Sequence, residues 1–241
     1  MTRSAFALRR PVTGATGRAR RTQGIVVAVV VALVLLAVFD PPWVIESKGK
    51  ANSGSAVAGS ANLDPDKYVD SIWSSKVLPT VQKEAIDLPT LLARLKRDPA
   101  GTAKRFGHYA IDGGPPSFLV KGSGRVVSVD TASLVSTAGI AFGSNSKPDV
   151  LIQIGPVLNG TDIRDALPFI NFNQFVNQVQ YGEVGVSMNA RVTNTVLTKL
   201  DTAKLKGKHI IFTGAYTAPD PNAPSTSPLP TITPVTLEVR K

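Results

Sequence analysis

The amino-acid sequence predicts an α+β domain behind a single N-terminal transmembrane helix, and three observations carry that prediction. An apolar run, Gly24–Phe39, follows an arginine cluster that contains no acidic residue. Between Asp64 and Gly107, apolar residues fall at helical spacing, punctuated by Asp-Pro and Leu-Pro steps. After Gly107 the pattern turns to alternating β-formers, and helical spacing returns once, from Phe172 to Leu200, before two last strands. Two hairpin strands, a third strand, a helix and two strands follow the order of a small OB-like five-stranded β-barrel with an inserted helix. The chain then divides into a cytoplasmic Arg-rich leader (1–23), a transmembrane signal anchor (24–45), a flexible linker (46–62) and a periplasmic α+β domain (63–241).

The anchor comes first. Gly24–Phe39 is 16 residues long, about 24 Å as a helix, slightly short of the ~30 Å hydrocarbon core of a bilayer. Arg20 and Arg21 can snorkel at one end and Trp43 can sit in the interface at the other. Asp40-Pro41-Pro42 stops the helix, because proline removes a donor and clashes with the preceding turn. A cleaved signal peptide would need a small-x-small site, whereas Ala37-Val38-Phe39-Asp40-Pro41 offers a bulky ring and a proline. Lipid attachment needs a cysteine, and the chain has none. Arg3, Arg9, Arg10, Arg18, Arg20 and Arg21 hold the N-terminus in the cytoplasm. A single-pass protein of the inner membrane, with its C-terminal domain in the periplasm, is therefore expected.

Composition removes several function classes. The net charge is +10, but the leader holds six of the 27 Lys and Arg residues, leaving 21 basic against 17 acidic, about +4. That balance calls for no nucleic acid partner. Without cysteine there are no disulfides, thiol nucleophiles or Cys-ligated metals. The ~180 residues after the linker suffice for one domain with an ordinary core.

Ser47–Asn62, rich in Ser, Gly, Ala and Lys, reads as the tether. Asp64-Pro65 opens a helix, Asp as N-cap and Pro at the first helical position, with Tyr68, Val69, Ile72, Trp73 and Val77 as its apolar stripe. Pro79 breaks it and starts a second helical piece with Val81 and Ala85. Asp87-Leu88-Pro89 caps a third with Leu91, Leu92 and Leu95, and Asp98-Pro99 begins a short fourth. Ser117–Lys121 and Arg125–Asp130 flank Gly122-Ser123-Gly124 as a hairpin. Leu134–Phe142 is a weak strand, and Asp149–Leu158 is a strong one ended by Asn159-Gly160. Gly182 and Gly185 kink or divide the helical stretch 172–200. Lys208–Tyr216 and Pro234–Arg240 are the last strands, joined by a proline-rich loop.

The segment 151–181 concentrates the candidate ligand- or partner-binding residues: Gly160, Thr161, Arg164, Asp165, Asn173, Asn177 and Gln178. Thr161 is placed to cap a turn containing Asp162, and amides beside Phe172 and Phe175 are what a polar small-ligand or sugar site would use. A structural reading competes: turns at Gly155-Pro156 and Asn159-Gly160, an Arg164–Asp165 pair, Asn173 as another N-cap, and the phenylalanines in the core.

Four blocks in the chain, DPDKYVDSIWSSKVLP at 64–79, FLVKGSGRVVSVD at 118–130, QIGPVLNGTDIRDALPFINFNQFVNQVQY at 153–181 and GKHIIFTGAY at 207–216, resemble the DUF2291 family of bacterial envelope proteins. The resemblance implies a periplasmic protein or lipoprotein, often encoded beside a ribose-type sugar ABC transporter, and carries over no catalytic residue. The chain departs from the lipoprotein pattern in lacking the lipid-bearing cysteine, so the uncut helix becomes the expected anchor.

No catalytic set emerges. His108 and His209 have no companions at metal-ligand spacing. Ser144-Asn145-Ser146-Lys147 matches S-x-x-K but lacks the K-T-G of that chemistry. Gly122-Ser123-Gly124 lacks the third glycine and following helix of a dinucleotide fingerprint. Asp64, Asp66 and Asp70 cannot form a calcium loop across Pro65. The sequence therefore predicts a non-enzyme with no cofactor and no metal. Its first reading is an accessory of a carbohydrate ABC transporter, docking on the permease or its sugar-binding protein. The alternative is a small-ligand or sugar-binding module acting alone, whose Arg164, Asp165, Asn173, Asn177 and Gln178 converge on a concave pocket.

Overall fold

Proline and aspartate set the helical entry of this domain. The computed structural model describes residues 57–219 and 229–240. The predicted leader, the anchor Gly24–Phe39 and most of the tether lie outside the described residues. Among the described residues no helix is long and apolar enough to cross a membrane. Helix α1 (Pro65–Ile72) starts where Asp64 Oδ1 accepts the Lys67 N–H at 3.1 Å, with proline in the first turn. Its predicted stripe, Tyr68, Val69, Ile72, Trp73 and Val77, is buried throughout.

Pro79 does not break this helix. Trp73–Val77 widens into a π turn, the Leu78 N–H reaching back to the Trp73 carbonyl, and α2 (Leu78–Glu84) carries on. A proline ring clashes with the carbonyl four residues earlier, and the wider turn relieves that clash without ending the helix. Helices α3 (Leu88–Arg97) and α4 (Pro99–Phe106) begin at aspartate caps, Asp87 accepting from Thr90 N at 3.1 Å and Asp98 from Gly101 N at 2.9 Å.

The barrel corrects the predicted hairpin. Ser117–Asp130 is one strand of 14 residues, β2, with no turn at Gly122-Ser123-Gly124. Its first half pairs antiparallel with β5 (His209–Thr217), from Ser117↔Thr217 to Arg125↔His209. Its second half pairs with β3 (Thr137–Ala141), from Arg125↔Ala141 to Asp130↔Thr137. The glycines serve close packing against the neighbouring strands. A Cβ at Gly122 would stand 2.8 Å from Phe212 Cζ, and one at Gly124 would stand 2.6 Å from Ile140 Cγ2 and 2.7 Å from the Ala141 carbonyl oxygen.

The remaining strands are β4 (Val150–Gln153), shorter than predicted, and β6 (Thr231–Arg240). β4 pairs antiparallel with β3 and parallel with β6, β6 pairs antiparallel with β5, and β5 returns to β2. Five strands thus close in the order β2-β3-β4-β6-β5, the predicted OB-like barrel. A sixth, β1 (Ile86–Asp87), was not predicted. It lies parallel to β2 at Val120–Lys121 and makes the sheet six-stranded. The predicted strand count survived because the two halves of the supposed hairpin are one strand, and Thr137–Ala141 supplies the missing one.

Helix α5 (Asp162–Asp165) and helix α6 (Gln178–Thr195) lie between β4 and β5. α6 runs undivided through Gly182 and Gly185, against the expectation of a kink. Gly185 is a packing point, since a Cβ there would stand 2.9 Å from Thr161 Cγ2.

Two apolar clusters result. The barrel interior holds Phe118, Val120, Val126, Ile140, Ile152, Phe212 and Ile232, joined by Leu88 and Leu91 of α3. The outer cluster packs α1, α2, α5 and α6 against Leu119, Ala215 and Val235 on the barrel wall. A bulge in the β5–β6 ladder, where Val235 is the extra residue, lets both Ile232 and Leu237 reach the barrel interior although they are an odd number of residues apart. Ser187 Oγ donates to Asp66 Oδ1 at 2.6 Å, and an Arg191–Asp70 ion pair, with the guanidinium 5.3 Å over the Trp73 ring, ties α6 to α1.

Gly124→Ala should cost about 2 kcal/mol through overpacking between β2 and β3, read as a fall in the urea midpoint. A loss below about 0.5 kcal/mol would contradict the close approach at Gly124.

Candidate functional site

The loop leaving β4 is pinned before it reaches the site. Gln153 brackets Asn159, its Oε1 accepting the Asn159 N–H at 2.6 Å and its Nε2 donating to the Asn159 carbonyl at 3.0 Å. Gly160 follows at φ +88°, a turn that favours glycine, and its carbonyl accepts from Asn189 Nδ2 of α6 at 2.8 Å. This delivers the four-residue helix α5 against both the barrel and α6.

Buried Arg164 and half-buried Asp165 then form an ion pair. Arg164 Nη2 lies 2.7 Å and Nε 2.8 Å from Asp165 Oδ1, and Nη1 donates to the Tyr181 carbonyl at 3.0 Å. The guanidinium stacks 3.7 Å from the centre of the Tyr181 ring. Thr161 sits at the N-cap of α5 as predicted, but its side chain makes no capping bond; its Oγ1 donates to Asp165 Oδ2 at 2.6 Å and braces the carboxylate. Burial raises the Tyr181 phenol above its usual range, against the pull of Arg164.

One turn earlier, Asp162 meets the barrel. Its Oδ1 accepts from Thr217 Oγ1 and its Oδ2 from Thr233 Oγ1, each at 2.7 Å. Ser117 Oγ lies 2.8 Å from Thr217 Oγ1, and Gln153 Nε2 donates to Thr233 Oγ1 at 2.9 Å. Burial pushes the Asp162 carboxyl up, the two threonine hydroxyls pull it down, and the charge of Asp165 adds to the rise.

Above these groups opens a cleft of about 550 Å³. Arg164, Asp165, Ser117 and Thr217 contribute to its lining. So do Tyr181, Gln178 and Gly182 of α6, and Ala110, Ile111, Pro115 and Phe172. Phe172 meets Tyr181 edge-on at 5.7 Å. A Cβ at Gly182 would meet nothing within 4 Å, so this glycine leaves open space.

The predicted residues separate here. Arg164, Asp165 and Gln178 line the cleft, and Thr161 touches it through Asp165. Gly160 sits behind, bonded to α6. Asn173 is exposed within the 3-10 turn Phe172–Gln174 and is not an N-cap; Asn171 caps that turn, because its side chain and that of Gln174 satisfy each other's backbone. Asn177 caps α6, accepting from Gln180 N at 2.9 Å. Neither Asn173 nor Asn177 is among the lining residues. Phe175 is buried as expected, whereas Phe172 is partly exposed at the cleft.

Sequence reading missed Ser117, Thr217, Tyr181 and Gly182. The first two meet only through strand register, 100 residues apart, and carry no local signal. His209 is exposed at the start of β5, and Ser144 and Lys147 lie exposed in the β3–β4 loop. Among the described residues no group of His, Asp or Glu could hold a metal ion.

A closed five-stranded barrel, with a helix inserted between its third and fourth strands and a helical layer outside, defines an OB-fold domain. An OB-fold protein from Thermotoga maritima has the same architecture, with a TM-score of 0.59 and 17% identity over 74% of this chain and 99% of that one. The chain belongs to the DUF2291 family, described as predicted periplasmic lipoproteins, which matches residues 28–238. Comparison with curated proteins finds no match.

Arg164→Met should destabilise the domain by about 3 kcal/mol by stranding Asp165, whereas Arg164→Met with Asp165→Leu should recover most of that loss; chemical denaturation of the two variants measures it. For Asp162 the native state holds its proton more tightly than the unfolded chain does. Its favourable contribution is present below the unfolded value, ~3.9, and is lost as pH rises through that value to the raised native one. Wild type should therefore lose stability relative to Asp162→Asn across that window, with a constant gap near neutrality, in urea titrations at stepped pH.

Proposed function

We propose that this domain is a non-enzymatic binding module of the periplasm, held at the inner membrane by Gly24–Phe39, which takes a small polar ligand of sugar size into the cleft between α6 and the barrel. The observation that carries the reading is the cleft's construction: about 550 Å³, within the usual range for small-molecule sites. Its polar floor is held rigid by internal bonds, and an α6 glycine leaves its wall open. That glycine is unfavourable for the helix, costing ~1 kcal/mol relative to alanine, and nothing in the fold requires it. Openness of the cleft accounts for it.

The accessory role at a carbohydrate ABC transporter rests on the family resemblance together with a surface feature. Phe172, Val176, Val179 and Val186 are exposed on and just before α6, giving a permease or sugar-binding protein an apolar rim to meet around the cleft.

Calorimetry of the full-length chain against a panel of pentoses and hexoses tests the binding reading. Gly182→Ala should raise the melting temperature, consistent with ~0.5–1 kcal/mol of added stability. Gly182→Trp should abolish binding while the fold is kept. Binding that survives Gly182→Trp would sink the cleft as the site.

A further inference from the structure

The hydrogen bonds beneath the cleft have a direction, and it reaches the ligand. Thr217 has one hydroxyl proton, and Asp162 takes it at 2.7 Å. Thr217 Oγ1 is then an acceptor toward Ser117, 2.8 Å away, so the Ser117 hydroxyl must donate to it. Ser117 in turn keeps only lone pairs for anything lying in the cleft. The second oxygen of Asp162 is fixed in the same sense, since Thr233 donates to it and accepts from Gln153. No side chain in this relay is free to rotate its proton without breaking a buried bond.

The charges point the same way. The Arg164 guanidinium lies against Asp165, donates to the Tyr181 carbonyl and stacks on the Tyr181 ring, with its side chain 9% exposed. Its charge is matched by Asp165. Asp162 has no ion-pair partner among the described residues, so one negative charge beneath the floor stands uncompensated. A carboxylate or phosphate arriving at Ser117 would meet lone pairs and a buried anion. A protonated amine would meet acceptors and an opposite charge, and a hydroxyl would meet acceptors alone.

From this relay we infer that the cleft selects ligands whose buried end donates hydrogen bonds, protonated amines ahead of alcohols, and rejects anions. This rests on the reading of the cleft as a ligand site and names the chemistry it accepts. Asp162 acts as a positioning residue, setting the proton direction at Ser117 without touching the ligand.

Three probes of one skeleton test it on the full-length chain: cyclohexylamine, cyclohexanol and cyclohexanecarboxylate, titrated by calorimetry at neutral pH. The amine should bind roughly tenfold or more tightly than the alcohol, with no measurable binding of the carboxylate. Asp162→Asn is isosteric, removes the charge and leaves one acceptor oxygen in place of two, so the amine should lose its advantage over the alcohol. Ser117→Ala should weaken amine and alcohol together. A carboxylate that binds as well as the amine, or an amine preference unchanged in Asp162→Asn, overturns the selectivity while leaving the cleft as a site. Absence of binding by all three probes, or binding untouched by Gly182→Trp, overturns the cleft reading and this one with it.

Discussion

The domain depends on one strand serving two neighbours. β2 must lie flat enough along β5 to pair from Ser117 to Arg125, then turn to pair with β3 from Arg125 to Asp130. A strand with side chains at every position cannot curl so tightly around a filled interior. Gly122 and Gly124 remove the side chains that would collide with Phe212 and Ile140, and the extra residue Val127 shifts the β2–β3 register. Closure follows from that, and so does the candidate site, because closure is what places Ser117 opposite Thr217.

The second level of organisation is polar. Asp162 ties β5 to β6 through Thr217 and Thr233, Gln153 ties β4 to β6, and Asn189 ties α6 to the loop between them. Buried polar groups of this kind stabilise little unless every member is matched, and once matched they admit few alternative packings. The floor of the cleft is therefore a consequence of how the barrel is locked, and its geometry is no softer than the barrel itself. The outer wall differs: α6 shows Val179, Gly182 and Val186 outward, so this helix contributes to the core on one side and leaves small apolar residues on the other.

Much of the fold was legible because local chemistry determined it. Asp64, Asp87 and Asp98 cap helices whatever lies around them, and the stripe from Tyr68 to Val77 buries the face its spacing defines. Readings failed where a distant neighbour decided the outcome. Gly122-Ser123-Gly124 is turn chemistry in isolation, and only Phe212 and Ile140, on other strands, make it strand. Pro79 ends helices in isolation, but a π turn absorbed it. At the site, the 160–178 segment was found from its own composition, yet Asn173 and Asn177 were spent on local turns and caps. The groups that complete the cleft came from strand ends that no local pattern marks.

The parallel pairing of β4 with β6 bears on how the chain folds. Gln153 and Thr233 are 80 residues apart, and no barrel exists until they meet. Contacts of that separation form late, after the entropy of closing the loop has been overcome. β6 (Thr231–Arg240) follows every other barrel strand in chain order, so closure waits on the strand that comes last. Closure of the barrel is thus set by β6, the one strand that bridges β4 to β5.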